Sequence, residues 1–139
     1  SAAALWSVAQ EHPLTIPIFQ KILKSGSSEG KKKAADRIRF MGLLRSAWAA
    51  LIPALVPLLD EEDQDVRYAA INALCEVGVE SQQAVEAVLK TLQPMLAAKS
   101  KLPWEIDSDF RRLVKNARGP AAEAMADGMK AIEQSAEVE

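Results

Sequence analysis

The sequence predicts an all-α protein built from repeated helix pairs, and three observations carry that expectation. The chain overlays on itself at a shift of 36 positions without a gap. Its apolar residues recur at helical spacing. Its composition is 49% hydrophobic but only 5% aromatic, rich in Ala, Leu and Val, which suits helices packed through small and branched aliphatic side chains. At 139 residues it is long enough for one domain with its own core.

The overlay is specific. Pro17 falls on Pro53, Phe19 on Leu55, Ile22 on Leu58 and Leu23 on Leu59; then Ala34 falls on Ala70, Ile38 on Leu74, Met41 on Val77 and Gly42 on Gly78. That period is close to the roughly 40 residues of helical-pair repeats. It divides the chain into units at 13–43, 44–79 and 80–119, preceded by a partial helix at 2–10 and followed by a helix at 120–135.

Each unit reads as two helices. In the second, Trp48, Leu51, Ile52, Leu55 and Leu59 mark the apolar face of a first helix. An acidic turn, Asp60-Glu61-Glu62-Asp63-Gln64-Asp65, follows; its carboxylates suit the free amides and positive dipole of a helix start. The second helix carries Val66, Ala70, Ala73, Leu74 and Val77 inward, and Gly78 can supply a left-handed residue to end it. In the third unit Val85, Val88, Leu89, Leu92 and Leu96 form the first helix, with Ser81 as N-cap. Asp63-Gln64-Asp65-Val66-Arg67 then recurs as Asp107-Ser108-Asp109-Phe110-Arg111, a step of 44 that places an insertion at 99–106. Gly119-Pro120 ends that helix and starts the last one, whose apolar stripe is Met125, Met129 and Ile132; the tail at 135–139 reads as frayed. At the other end, Ala4-Leu5-Trp6-Ser7-Val8-Ala9 is similar to Ala73-Leu74-Cys75-Glu76-Val77-Gly78, as if the chain began inside a longer array.

The segment Asp60–Gly78, with its acidic turn, Val-Arg, paired small residues, Ala-Leu and terminal Gly, resembles the turn and second helix of a HEAT repeat. The likeness is strongest in that unit and extends over about Pro13 to Gly119, with Lys31 in place of the arginine in the first. It implies a right-handed superhelical solenoid whose second helices line a concave, macromolecule-binding surface, and pairing of Asp65 or Asp109 with Arg67 or Arg111 of a neighbouring unit. It implies no reaction and no particular ligand.

Composition narrows the function. Net charge is −2, which gives no global attraction to nucleic acid. No apolar run reaches the roughly 18 residues of a membrane span. One cysteine, Cys75, and one histidine, His12, allow neither an intrachain disulfide nor a Cys/His zinc site, and point to a reducing, cytoplasmic setting. The acidic turn lacks the alternating ligands and glycine of a calcium loop. No phosphate loop, dinucleotide fingerprint or nucleophile elbow is present, so no cofactor, metal or catalytic residue is assigned.

What remains is a binding reading. Lys31, Lys32, Lys33, Arg37 and Arg39 on the first unit's second helix, with Arg111, Arg112, Lys115 and Arg118 on the third's, make either an ordinary solvated surface or a positive groove for an acidic peptide. With a step of 36 and then one of 44, Lys32, Tyr68 and Arg112 occupy one equivalent position and Asp36, Asn72 and Asn116 another, four residues on and hence on the same face. Two polar rows then run side by side, with Asn72 and Asn116 placed to hydrogen-bond a peptide backbone and Tyr68 to give apolar contact. Trp6 and Trp48 read as core; Trp104, in the insertion, either covers the core's end or protrudes as a contact residue. The expected function is a non-enzymatic scaffold for a protein or peptide partner. The alternatives are nucleic-acid binding or, by likeness to a few HEAT-like proteins, a DNA glycosylase or chromophore lyase, which three units and few aromatics disfavour.

Overall fold

The computed structural model describes residues 15–40 and 49–138. The partial helix at 2–10, Trp6, His12, Pro13, Met41, Gly42 and Trp48 lie outside the described residues. Within them every regular element is helical and no strand occurs. Among the described residues no helix is long and apolar enough to cross a membrane.

In chain order the elements are α1 (Thr15–Ser25), α2 (Ser28–Phe40), a broken segment, α4 (Gln64–Val77), α5 (Gln82–Ala97), α6 (Trp104–Asn116) and α7 (Pro120–Val138). The broken segment consists of a 3-10 turn (Ala49–Leu51), a single α-turn, α3 (Ile52–Leu55), and a second 3-10 stretch (Val56–Asp60). The sequence predicted one regular helix here. Pro53 and Pro57 each remove a backbone donor and crowd the preceding turn, and the chain answers with 3-10 geometry while still burying Leu51, Ile52, Leu55, Leu58 and Leu59.

Packing sorts the elements into two rows. α2, α4 and α6 lie side by side, with α4 in the middle; α1, the broken segment, α5 and α7 follow one another behind them. α6 rests chiefly on α4, and α7 chiefly on α5. The inward residues expected from the sequence, Val66, Ala70, Ala73, Leu74 and Val77, are all buried, as are Leu55, Leu59 and Leu89.

The helix ends follow local chemistry. Asp63 caps α4 by accepting from the Asp65 amide at 2.9 Å, and Ser81 caps α5 by accepting from the Ala84 amide at 3.1 Å. Gly78 has φ −97°, so it is not the left-handed residue expected. It is small because a Cβ there would stand 2.4 Å from the Ala84 Cβ and 2.5 Å from the Leu74 carbonyl. α7 continues to Val138, into the tail expected to fray.

α5 ends in a Schellman motif. The Ser100 amide reaches back to the Met95 carbonyl and the Lys99 amide to that of Leu96, with Lys99 left-handed at φ 54°. A non-glycine residue pays a steric penalty in that region. Lys99→Gly should therefore stabilise the chain by about 1 kcal/mol, measurable as a higher urea midpoint; a lower midpoint would mean the Lys99 side chain contributes more than its backbone costs.

Candidate functional site

The surface that singles itself out is the row α2–α4–α6, where the sequence placed its binding residues. α4 and α6 run parallel, and their relative level is fixed by contacts near their C-terminal ends. Arg112 Nη1 donates to Glu76 Oε2 at 3.2 Å, across 36 positions, and the Arg118 amide donates to the Val79 carbonyl at 2.7 Å. Arg112 therefore stands beside Glu76, two helical turns beyond Tyr68, and does not extend the row of Lys32 and Tyr68. The 44-residue step is a likeness of motif, not of place.

The 36-residue step is the one the contacts follow. Positions four apart share a helix face. Running back from the Glu76–Arg112 pair, α4 presents Asn72 and Tyr68, and α6 presents Ser108 and Trp104. The same step that carries Lys32 to Tyr68 carries Tyr68 to Trp104. Lys32 is exposed and Tyr68 half-buried; Trp104, in the first turn of α6, is 83% exposed. Of the two readings the sequence left for Trp104, the structure has it protruding.

The second polar row does not form. Asp36 and Asn116 are half-buried, but Asn72 is only 6% exposed, enclosed in the middle helix, and its Oδ1 accepts no hydrogen bond among the described residues. Asn72 is thus part of the interior and not a rung for a peptide backbone.

Beside it lies a charge cluster that the sequence reading missed. Asp109 is 2% exposed. Arg39, at the end of α2, crosses α4 to bring its Nε 2.6 Å from Asp109 Oδ2, while Arg112 Nη1 stands 3.4 Å from Oδ1. These are ionic contacts; neither carboxylate oxygen receives a well-aligned hydrogen bond. The pairing joins the first and third helices of the row directly. Cys75 lies next to this cluster, buried and pushed well above the usual thiol range by burial first, then by the Asp109 and Glu76 carboxylates, against the opposing pull of Arg112 and Arg39. A thiol held protonated and buried is a poor nucleophile.

The positive groove expected from the sequence is largely neutralised. Of the nine basic residues counted for it, six are in ion pairs: Lys31 with Glu61, Lys33 with Glu29, Arg39 with Asp109, Arg111 with Asp107, Arg112 with Glu76 and Asp109, and Arg118 with Glu80. Arg67 and Arg111 do not bridge units as the resemblance implied. Arg67 donates to the carbonyls of Glu61 and Glu62 at 2.7 and 2.8 Å, and Arg111 pairs with Asp107 one turn back. Among the described residues no group of three or more His, Cys, Asp or Glu side chains converges to hold a metal. Comparison of the chain with protein-family models, curated proteins and solved structures returns no match.

Two predictions follow from this charge arrangement. Arg39→Met leaves a buried carboxylate with a single, half-exposed partner and should cost about 3 kcal/mol. Urea unfolding measures the loss, and native-state labelling of Cys75, the chain's one cysteine, should quicken; unchanged values for both would make the cluster incidental. Asp36 behaves oppositely. Burial raises its pKa, against the lowering influence of Lys32 and Arg39. A carboxyl raised on folding binds its proton more readily in the folded state, so its relative stabilisation is present at low pH and is lost as pH climbs through its folded pKa. Asp36→Asn should melt higher than the parent at neutral pH, and the two curves should converge below the ordinary carboxylate value of 3.8.

Proposed function

We propose that this protein is a non-enzymatic interaction module, a HEAT-type right-handed solenoid that holds a protein or peptide partner against the α2–α4–α6 row in the cytoplasm. The two rows of helices, the 36-residue step and the acidic turn ahead of α4 support the solenoid reading. The observation that carries the binding reading is Trp104. A tryptophan left 83% exposed forgoes the burial that makes this side chain worth having in a core, and exposed Trp beside Tyr is the composition of an interface centre. The other large exposed apolar residues, Ile18 and Val114, are smaller and less exposed at 54% and 46%.

The ion-paired state of most basic residues in the row weighs against an acidic peptide or a phosphate backbone as the ligand, because each such contact must first displace an internal partner. The test is affinity capture from the source cell with the intact chain, repeated with Trp104→Ala. That variant should keep its helicity and melt within about 0.5 kcal/mol of the parent, as surface substitutions do, yet bind the captured partner at least about ten-fold more weakly. Undiminished retention of every partner by the variant would overturn the assignment of this surface.

A further inference from the structure

We propose that the edge formed by the N-terminal ends of α4 and α6 docks an extended segment carrying arginine side chains, with Trp104 as the stacking platform and the carboxylates of the 60–65 turn and Glu105 as the counter-charge. This rests on the interaction-module reading and adds the partner's chemistry to it.

The turn ahead of α4 is anionic and held by several contacts. Asp60, Glu61, Glu62, Asp63 and Asp65 supply five carboxylates. Two cations lie close to it, and both are engaged in holding the turn. Lys31 pairs with Glu61. Arg67 places its guanidinium on the carbonyls of Glu61 and Glu62, which holds the backbone and leaves the Glu62 carboxylate without a cation. Asp63 is used as the cap of α4. Asp60, Glu62 and Asp65 remain exposed, without an ion pair among the described residues. A charged surface held in place before binding gives up less entropy when a partner arrives.

One 36-residue step beyond Tyr68, exposed Trp104 stands in the first turn of α6. The parallel packing of α4 and α6, and the level set by Arg112 on Glu76 and by Arg118 on Val79, bring the first turn of α6 beside the first turns of α4. Tyr68 and Trp104 end the two ridges that meet there, and exposed Glu105 adjoins Trp104. An aromatic face flanked by carboxylates free of internal partners attracts a flat, weakly hydrated cation: guanidinium stacks on the ring while its N–H groups reach carboxylate oxygens. A lysine ammonium satisfies the charge but not the stacking, which is why arginine is the stated occupant.

The experiment uses the whole chain and synthetic peptides, followed by NMR. The Trp104 indole N–H is assigned with Trp104→Phe. The probes are an arginine–glycine hexapeptide, its citrulline counterpart, which keeps the shape without the charge, its glutamate counterpart, and a single-stranded oligonucleotide. The arginine peptide should shift the Trp104 indole and the amides of 60–65, with affinity falling as salt rises. The citrulline peptide should bind at least about ten-fold more weakly. The pair Glu62→Gln/Glu105→Gln should also weaken the arginine peptide several-fold while leaving the circular dichroism unchanged. If the glutamate peptide or the oligonucleotide shifts Trp104 and the arginine peptide does not, the cationic-partner inference is overturned while the surface itself stands. If captured partners need Trp104 yet the arginine and citrulline peptides bind equally, the charge assignment is overturned in the same way. If no probe moves Trp104 and captured partners ignore its removal, both the inference and the reading beneath it fall.

Discussion

Nine of the fourteen residues of α4 are buried, so this helix has to be covered on both flanks and from behind. That requirement arranges the molecule. α2 and α6 close the flanks; the proline-broken segment and α5 close the back. The helix meets the requirement with small residues. Ala69, Ala70 and Ala73 let neighbours approach, and Ile71 and Leu74 fill what remains. A central element packed this way leaves little slack, because protein interiors are close-packed and a shift on one side is felt on the other.

Such a helix has fully exposed side chains only in its first turn, and its interior polarity must be managed. Asn72 is enclosed, and Asp109 is turned toward the same region from α6. The second is made tolerable by two arginines arriving from opposite directions, Arg39 from α2 and Arg112 from its own helix. Replacing a buried ion pair with apolar groups is often neutral or stabilising, whereas removing one partner is costly. The cluster is thus better understood as fixing relative position than as adding net stability. It ties the two flanks of the row to one point over Cys75, and that fixes how far apart α2 and α6 can stand. The level of α6 against α4, on which the placement of Trp104 depends, follows from the same contacts.

Much of the fold was legible because burial follows period. The 36-residue overlay, continued without a gap, carries Val66 to Leu102, Ala70 to Ile106, Leu74 to Phe110 and Val77 to Leu113, and all eight are buried. The likeness of Asp107-Ser108-Asp109 to Asp63-Gln64-Asp65 obscured this, since the same residues do different work in the two places. Asp63 caps a helix. Asp107 sits inside one and pairs with Arg111, while Asp109 faces the interior. α6 begins behind Pro103 with no side-chain cap at all, so the usual start signal was missing from the true start. The proposed surface is readable only in part for the same reason: the likeness of the acidic motifs points to Arg112, which stands beside Glu76, whereas the 36-residue step from Tyr68 leads to Trp104. The neutralisation of the basic residues was not legible, because Arg39 with Asp109 and Arg112 with Glu76 join residues whose pairing depends on helix level.

The two ends of the α4–α6 seam therefore have opposite characters. At the C-terminal end cations and carboxylates are drawn together and satisfied internally: Arg39, Arg112 and Arg118 against Asp109, Glu76 and Glu80. At the N-terminal end Asp63 caps α4 while Asp60, Glu62 and Asp65 stay exposed; Lys31 pairs with Glu61 and Arg67 holds backbone carbonyls. Cations placed at helix C-termini and anions at N-termini are what the helix dipole favours on each helix alone. α6 follows that preference, with Glu105 and Asp107 in its first turn and Lys115 in its last, whereas α4 carries Glu76 in its last turn and receives its cation, Arg112, from α6. The surplus negative charge and the exposed indole collect on one edge, and that edge is where the molecule has unsatisfied interactions to offer.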